Sequence, residues 1–268
     1  MYHKKIIYYN DEINDDFAVT QNIKKKIIDD KYNYFRQKNK LYKFWADTLY
    51  FVIVKPITKL IMLFGYHCFI HGRRKIKHFR KKGCFIYANH TNYMPDAFTP
   101  NHLNWRRNYI ITGPETVNIK GIGVLVDALG AIPLPDTLAA AKNFKKCVTE
   151  KINYGDSITI YPEAHIWPYY NSVRPFKRES IKYTIVENCA AYTCTTCYKK
   201  RLIGKRPRIS VYIDGPFYPD LSLDKEEQIN KLYNEIYQAM KNRCDKESTY
   251  EYYKYIKKEE DDNNASSN

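Results

Sequence analysis

The sequence is short of acid: its 268 residues carry 29 Asp and Glu against 44 Lys and Arg, a formal charge of +15. That shortage excludes an acidic, solvating protein. It leaves nucleic acid, an anionic membrane face, or a substrate bearing phosphate as partners. The apolar core of a signal peptide is missing behind Met1-Tyr2-His3-Lys4-Lys5, so the expected compartment is intracellular. The cysteines are odd in number, seven, with one close pair, Cys194-Thr-Thr-Cys197. No second pair completes a zinc site, and in strand-like sequence residues three apart face opposite ways. The thiols therefore read as reduced and buried, and no metal or cofactor is expected. An RNP-like aromatic signature and a basic recognition helix are also lacking, which argues against a nucleic-acid binder. What is present is a globular composition, 44% hydrophobic and 27% charged, in a length between one large and two small domains.

No apolar run is free of charge over the length of a bilayer. The segment from Thr48 to Phe64 comes nearest, but Lys55 and Lys59 lie near its middle, and each would cost roughly 2.5–3.5 kcal/mol at the bilayer centre. Their i, i+4 spacing puts them on one helical face. Thr48, Val52, Lys55, Lys59 and Tyr66 then share a stripe, leaving Phe51, Ile57, Leu60, Ile61 and Phe64 as a broad apolar remainder. This is the pattern of a helix lying in the membrane interface, kinked at Pro56. Tyr42, Phe44 and Trp45 suit the headgroup level. Residues 41–82 hold ten Lys or Arg and one Asp, which fits an anionic surface. A core helix with two solvated lysines and a single-pass span are the alternatives.

Residues 1–40 read as a polar, loosely packed arm, 41–82 as amphipathic membrane-associating helices, 83–244 as an α/β domain, and 245–268 as a disordered tail. Within the domain, strands are expected at 84–88, 108–112, 157–161, 192–197 and 208–213, with a Gly-rich loop at Gly121 and Gly123 and a short apolar stretch at 131–134. Thr137 caps a helix with Leu138, Ala141, Phe144, Val148 and Ile152 at helical spacing and Gly155 at its end. Asp224 with Glu227 forms a capping box for a helix carrying Ile229, Leu232, Tyr233, Ile236 and Met240 on one face. Strands alternating with helices predict a mixed, largely parallel sheet flanked by helices.

Two loops that follow strands carry chemistry. Asn89-His90-Thr91-Asn92-Tyr93-Met94-Pro95-Asp96 offers a base and a carboxylate that could fix its tautomer. On a continuous helix, six residues would leave the two side chains about 120° apart. Pro95 resolves this by holding Met94 out of the helix, so that His90 lies on the turn and Asp96 in the first helical turn. The second loop, Tyr161-Pro162-Glu163-Ala164-His165, brings Glu163 to the same sheet edge, where it can hold a hydroxyl or order the loop. Arg174, Lys177 and Arg178 follow as cationic donors for a phosphate, or as a solvated basic loop.

These blocks, in this order, resemble the glycerolipid acyltransferase family, the 1-acylglycerol-3-phosphate and lysophospholipid acyltransferases, in its bacterial branch. Asn89-His90…Asp96 matches the first block, Gly130-Ala-Ile-Pro-Leu134 the second and Tyr161-Pro162-Glu163-Ala164 the third, with Glu163 standing 73 positions after His90. Five residues separate His90 from Asp96 where the family has four. Ala164 replaces a Gly, and Pro135-Asp136 stands where the second block ends in an Arg that meets the acceptor's phosphate.

The resemblance implies transfer of a fatty acyl group from acyl-CoA or acyl carrier protein to a lysophospholipid hydroxyl, 1-acyl-sn-glycerol 3-phosphate foremost. His90 would be the general base, Asp96 its orienting carboxylate, and the backbone N–H groups of Asp96 and Ala97 the oxyanion donors. Glu163, Arg174, Lys177 and Arg178 would serve the substrate. Either Arg174 or Arg178 replaces the missing Arg, or the acceptor is a different lysophospholipid. The expected location is the cytoplasmic face of the cell membrane, peripheral or monotopic. A catalytically silent membrane-surface protein with the same fold is the rival from another class.

Overall fold

The computed structural model describes residues 3–17, 27–78, 82–118 and 123–258. Its strands are β1 (Lys5–Tyr9), β2 (Cys68–His71), β3 (Cys84–Ala88), β4 (Asn108–Thr112), β5 (Ala131–Pro133), β6 (Ser157–Ile160), β7 (Ala190–Lys199), β8 (Arg208–Phe217) and β9 (Tyr253–Lys257). The helices are α1 (Lys40–Gly65), α2 (Tyr93–Phe98), α3 (Gly123–Ala128), α4 (Leu138–Tyr154), α5 (Lys182–Glu187) and α6 (Lys225–Glu247). Seven strands form one sheet in the order β2-β8-β7-β3-β6-β4-β5. Every pairing is parallel except β7 with β8, as the alternation of strands and helices requires. Gly121 lies outside the described residues, and Gly123 opens α3.

The central strand β3 is buried throughout, so its side chains alternate between two cores. Phe85 and Tyr87 join Phe144, Val148 and Ile152 of α4 and Leu232, Ile236 and Met240 of α6. Cys84, Ile86 and Ala88 join Met62 of α1 and Leu103 on the other face. Cys194 and Cys197 divide in the same way, one in each core. All seven cysteines are buried and unbridged. The helix signals hold in detail: Thr137 Oγ1 accepts from Ala140 N–H at 3.2 Å, Gly155 ends α4 at φ +92°, and Asp224 and Glu227 form the capping box of α6. Leu138, by contrast, is exposed, and the α4 core face is Ala140, Phe144, Cys147, Val148 and Ile152.

The 26-residue α1 is long and apolar enough to cross a membrane by length and composition, yet it lies along the domain. Its inward stripe is Ala46, Tyr50, Thr58 and Met62. A stripe on every fourth residue would walk about 40° per turn around an α-helix. Wide π turns at Thr48–Val54 and Ile61–Gly65 take up that drift. Pro56 stands just after the first of them, where the wider turn leaves room for the proline ring. Leu41, Phe44, Val52, Ile57, Leu60 and Phe64 face outward and exposed. Tyr50 and Thr58 of this stripe bond the domain, and so does Lys55 of the Lys-bearing stripe, which donates to the Asn104 carbonyl at 2.9 Å. The Tyr50 hydroxyl accepts from Asn108 N–H at 3.1 Å.

His102 Nε2 lies 3.0 Å from Thr58 Oγ1, whose proton is committed to the Val54 carbonyl at 2.8 Å. Burial and the charges of Lys55, Arg73 and Lys59 push His102 down to about 4. A histidine depressed in the folded state loses its stabilising contribution as pH falls from the ordinary value of 6.5 towards 4. The expected loss across that window is about 3 kcal/mol. His102→Gln keeps a donor for Thr58 and is expected to flatten the slope; urea unfolding at stepwise pH measures it, and an unchanged slope refutes the assignment.

Described residues near both ends depart from expectation. Residues of the N-terminal arm form β1, which pairs in parallel with β9 from Lys5↔Tyr253 to Tyr9↔Lys257. Residues 245–258 are accordingly ordered rather than a loose tail: α6 runs to Glu247 and β9 follows. Tyrosine density makes this possible. Trp167 stacks on Tyr255 with ring centroids 4.9 Å apart and meets Tyr9 at 4.7 Å, burying aromatic area that neither end could bury alone. The acidic end of the chain, 259–268, lies outside the described residues.

Candidate active site

The end of β3 is tied down before the chemistry begins. Buried Asn89 pairs with the backbone of Thr196 as a strand residue would, donating to its carbonyl at 3.0 Å and accepting from its N–H at 2.8 Å. The chain then curls so that Asp96 faces back along it. Asp96 Oδ2 receives the N–H groups of Thr91 and Asn92, each at 2.8 Å, and lies 2.9 Å from His90 Nδ1. The curl brings together two residues that a continuous helix would separate. Helix α2 starts at Tyr93, so Met94 is helical after all. Pro95 is accommodated within the first turn, where its missing N–H would have had no helical partner.

A carboxylate can only accept, so His90 Nδ1 carries the proton and Nε2 is left with its lone pair, the tautomer of a base. The His90 side chain is 25% exposed and that of Asp96 3%, so the imidazole is reachable and its partner is not. Tyr161 packs its ring 4.6 Å from that of His90 and donates its hydroxyl to the Asp96 carbonyl at 2.5 Å. Burial pushes the Asp96 carboxyl up, against the opposing pull of His90 and the two N–H donors. Tyr161 was not legible as a participant; its only signal was its place directly ahead of Pro162-Glu163.

Glu163 lies wholly inside the protein and spans two loops. Its Oε2 accepts His90 N–H at 3.1 Å and its Oε1 accepts Arg174 N–H at 3.0 Å. Burial pushes its carboxyl up, opposed first by the charge of Arg174. It therefore orders the loop rather than meeting substrate. Ala164 adopts φ +62°, a left-handed conformation that costs a non-glycine residue about 1–2 kcal/mol and accounts for the glycine expected there.

The cations proposed for a phosphate are placed elsewhere. Arg174 has no exposed side-chain surface. Its guanidinium donates to the carbonyls of Glu12, at 3.0 Å, and His165, and reaches Glu163 Oε2 at 3.4 Å, while lying 4.9 Å over the Trp167 ring. Arg178 bonds Asn230 Oδ1 and sits 5.5 Å over Tyr233 of α6. Lys177 beside it is exposed. Neighbouring Phe176 packs on Tyr233 and Tyr237, so this pair of cations follows the α6 layer. Asp136 receives Ile28 N–H at 2.7 Å and returns its own N–H to the Ile28 carbonyl at 3.0 Å, a structural use of the position. Of the two expected oxyanion donors, the Asp96 N–H is spent on the Asn92 carbonyl at 3.3 Å. Ala97 is one residue deeper in the same helix, where pairing runs back to Tyr93. No group of three or more potential metal ligands occurs among the described residues.

Residues 67–198 match the family model named Acyltransferase. No curated protein sequence matches the chain. Among solved structures, it is similar to the 1-acyl-sn-glycerophosphate (LPA) acyltransferase PlsC from Thermotoga maritima, at 17% identity and a TM-score of 0.48 over 77% of this chain and 89% of that one. Both blocks that build the His90 site fall inside the segment matched by the Acyltransferase family model, and that match supports the likeness to the glycerolipid acyltransferases.

Proposed function

We propose that the protein transfers a fatty acyl group from a thioester, acyl-CoA or acyl carrier protein, to the free hydroxyl of a lysophospholipid at a membrane surface. The observation that carries the reading is the reachable imidazole of His90 with Nδ1 2.9 Å from the buried Asp96 carboxylate. His90 Nε2 takes the proton of the acceptor hydroxyl as its oxygen attacks the thioester carbonyl. Asp96 holds the ring in that tautomer and offsets the imidazolium charge. Collapse of the tetrahedral intermediate breaks the C–S bond, and the imidazolium returns the proton to the departing sulfur. A thiol leaves readily, so no covalent enzyme intermediate is required.

The exposed apolar side chains of α1 and the basic balance of residues 41–82 support seating on an anionic, cytoplasmic membrane face. 1-Acyl-sn-glycerol 3-phosphate is the first acceptor to test. Purified protein in detergent, offered a panel of lysophospholipids with both donor types, is expected to release free thiol with at least one pair. Absence of turnover across the panel would make the chain a silent bearer of the fold.

A further inference from the structure

Outside the His90 site, the connection between β7 and β8 combines positive charge with exposed apolar side chains. Between β7 and β8 the chain reads Lys199-Lys-Arg-Leu-Ile-Gly-Lys-Arg-Pro-Arg208, six cations and no acid in ten residues. Lys199 is paired with Glu247 at 2.5 Å. At the tip, Leu202 is fully exposed and Ile203 is 89% exposed. A Cβ built on Gly204, which makes the turn at φ +91°, would meet nothing within 4 Å. The tip therefore stands in open space.

Its position gives it an occupant. β7 runs parallel to β3 with Cys194 level with Ala88, so Lys199 lies five residues, about 17 Å, beyond the end of β3. On the way, the Tyr198 hydroxyl donates to the Thr91 carbonyl at 3.0 Å, which joins the base of the hairpin to the His90 turn. On the other side, Arg201 Nη2 reaches the carbonyl of Gly65, the last residue of α1, at 3.4 Å. The hairpin thus adjoins the end of α1 at the sheet edge that holds His90. Two adjacent aliphatic side chains inside a ring of cations match a bilayer with anionic headgroups: the aliphatics enter the acyl boundary and the cations stay at the phosphates.

We propose that the β7–β8 hairpin is a second membrane-contact element, inserting Leu202 and Ile203 into anionic bilayers beside the active-site edge. The inference rests on the membrane seating of α1 proposed above. Each aliphatic contributes roughly ten- to a hundredfold to partition, and each cation near an anionic surface about fivefold.

An Ile203→Cys variant labelled with an environment-sensitive fluorophore tests it, since all native thiols are buried. The label is expected to shift to the blue on vesicles of phosphatidylcholine with phosphatidylglycerol, and less on phosphatidylcholine alone. The double variant Leu202→Asp, Ile203→Asp is expected to bind the anionic vesicles at least about tenfold more weakly with an unchanged unfolding midpoint. Sedimentation of the labelled protein with vesicles while the label stays in water would overturn the hairpin's role and leave α1 as the seat. Failure to bind vesicles at all would overturn both. A shift caused by an acidic acyl carrier protein, and not by vesicles, would overturn the proposal in favour of a protein dock.

Discussion

Replacing His90 by Ala is expected to lower acyl transfer by about 10³-fold, within the range of 10²–10⁴ that a positioned general base contributes. The loss should fall on kcat, because the imidazole acts on a proton that moves only in the transition state. Thermal stability should barely change. The His90 ring is partly exposed, while the bonds that shape the turn run through its backbone: its N–H donates to Glu163 and its carbonyl accepts Trp167 N–H at 3.0 Å. Asp96→Asn is the companion. Thr91 and Asn92 N–H can still bond the amide oxygen, but the neutral side chain no longer offsets an imidazolium. Thiol release from acyl-CoA with a lysophospholipid acceptor measures both variants. Near-full activity of His90→Ala would remove the assignment of this loop as the catalytic one.

Arg174→Ala is expected to cost about 3–5 kcal/mol of stability, the penalty for leaving a buried charge without its partner. Glu163 would keep two backbone donors but lose the guanidinium, and the carbonyls of Glu12 and His165 would lose theirs. Activity should fall with the folded fraction, and the apparent KM for a phosphate-bearing acceptor should stay near that of the parent. This departs from the expectation drawn from the sequence, in which Arg174 was one of the cations offered to the phosphate. Arg174→Lys should recover part of the stability, since it keeps the charge but lacks the fork that bonds two carbonyls at once. Urea unfolding and acceptor titration decide the matter: an unchanged midpoint with a raised KM would return Arg174 to the substrate.

The two predictions differ because local pattern and long-range packing were not equally legible. Asn89-His90 directly after an apolar strand, and Glu163 after another, place both at one sheet edge by topology alone. The caps of α4 and α6 were equally plain, since Thr137, Asp224 and Glu227 act within a few residues of themselves. Burial of Arg174 was not legible. It depends on Glu12, 162 positions away, and on Trp167, which is stacked between the two ends of the chain. The pairing of β1 with β9 is not legible for the same reason: each is five residues of Tyr, Ile and Lys in polar surroundings, and only mutual hydrogen bonding makes either a strand.

The sequence by itself determined the alternation that makes an α/β sheet, the identity of the His and Asp that meet at its edge, and an outward apolar face on α1. Each follows from residues close together in the chain, through periodicity, capping and turn chemistry. Only the tertiary structure decided that Glu163 and Arg174 tie loops together inside the protein, and that Tyr9 and Tyr255 close over Trp167. It also decided that the cationic β7–β8 hairpin stands at the sheet edge that holds His90. A charged side chain is a ligand donor or an internal strut according to what surrounds it, and that is set by segments far apart in sequence.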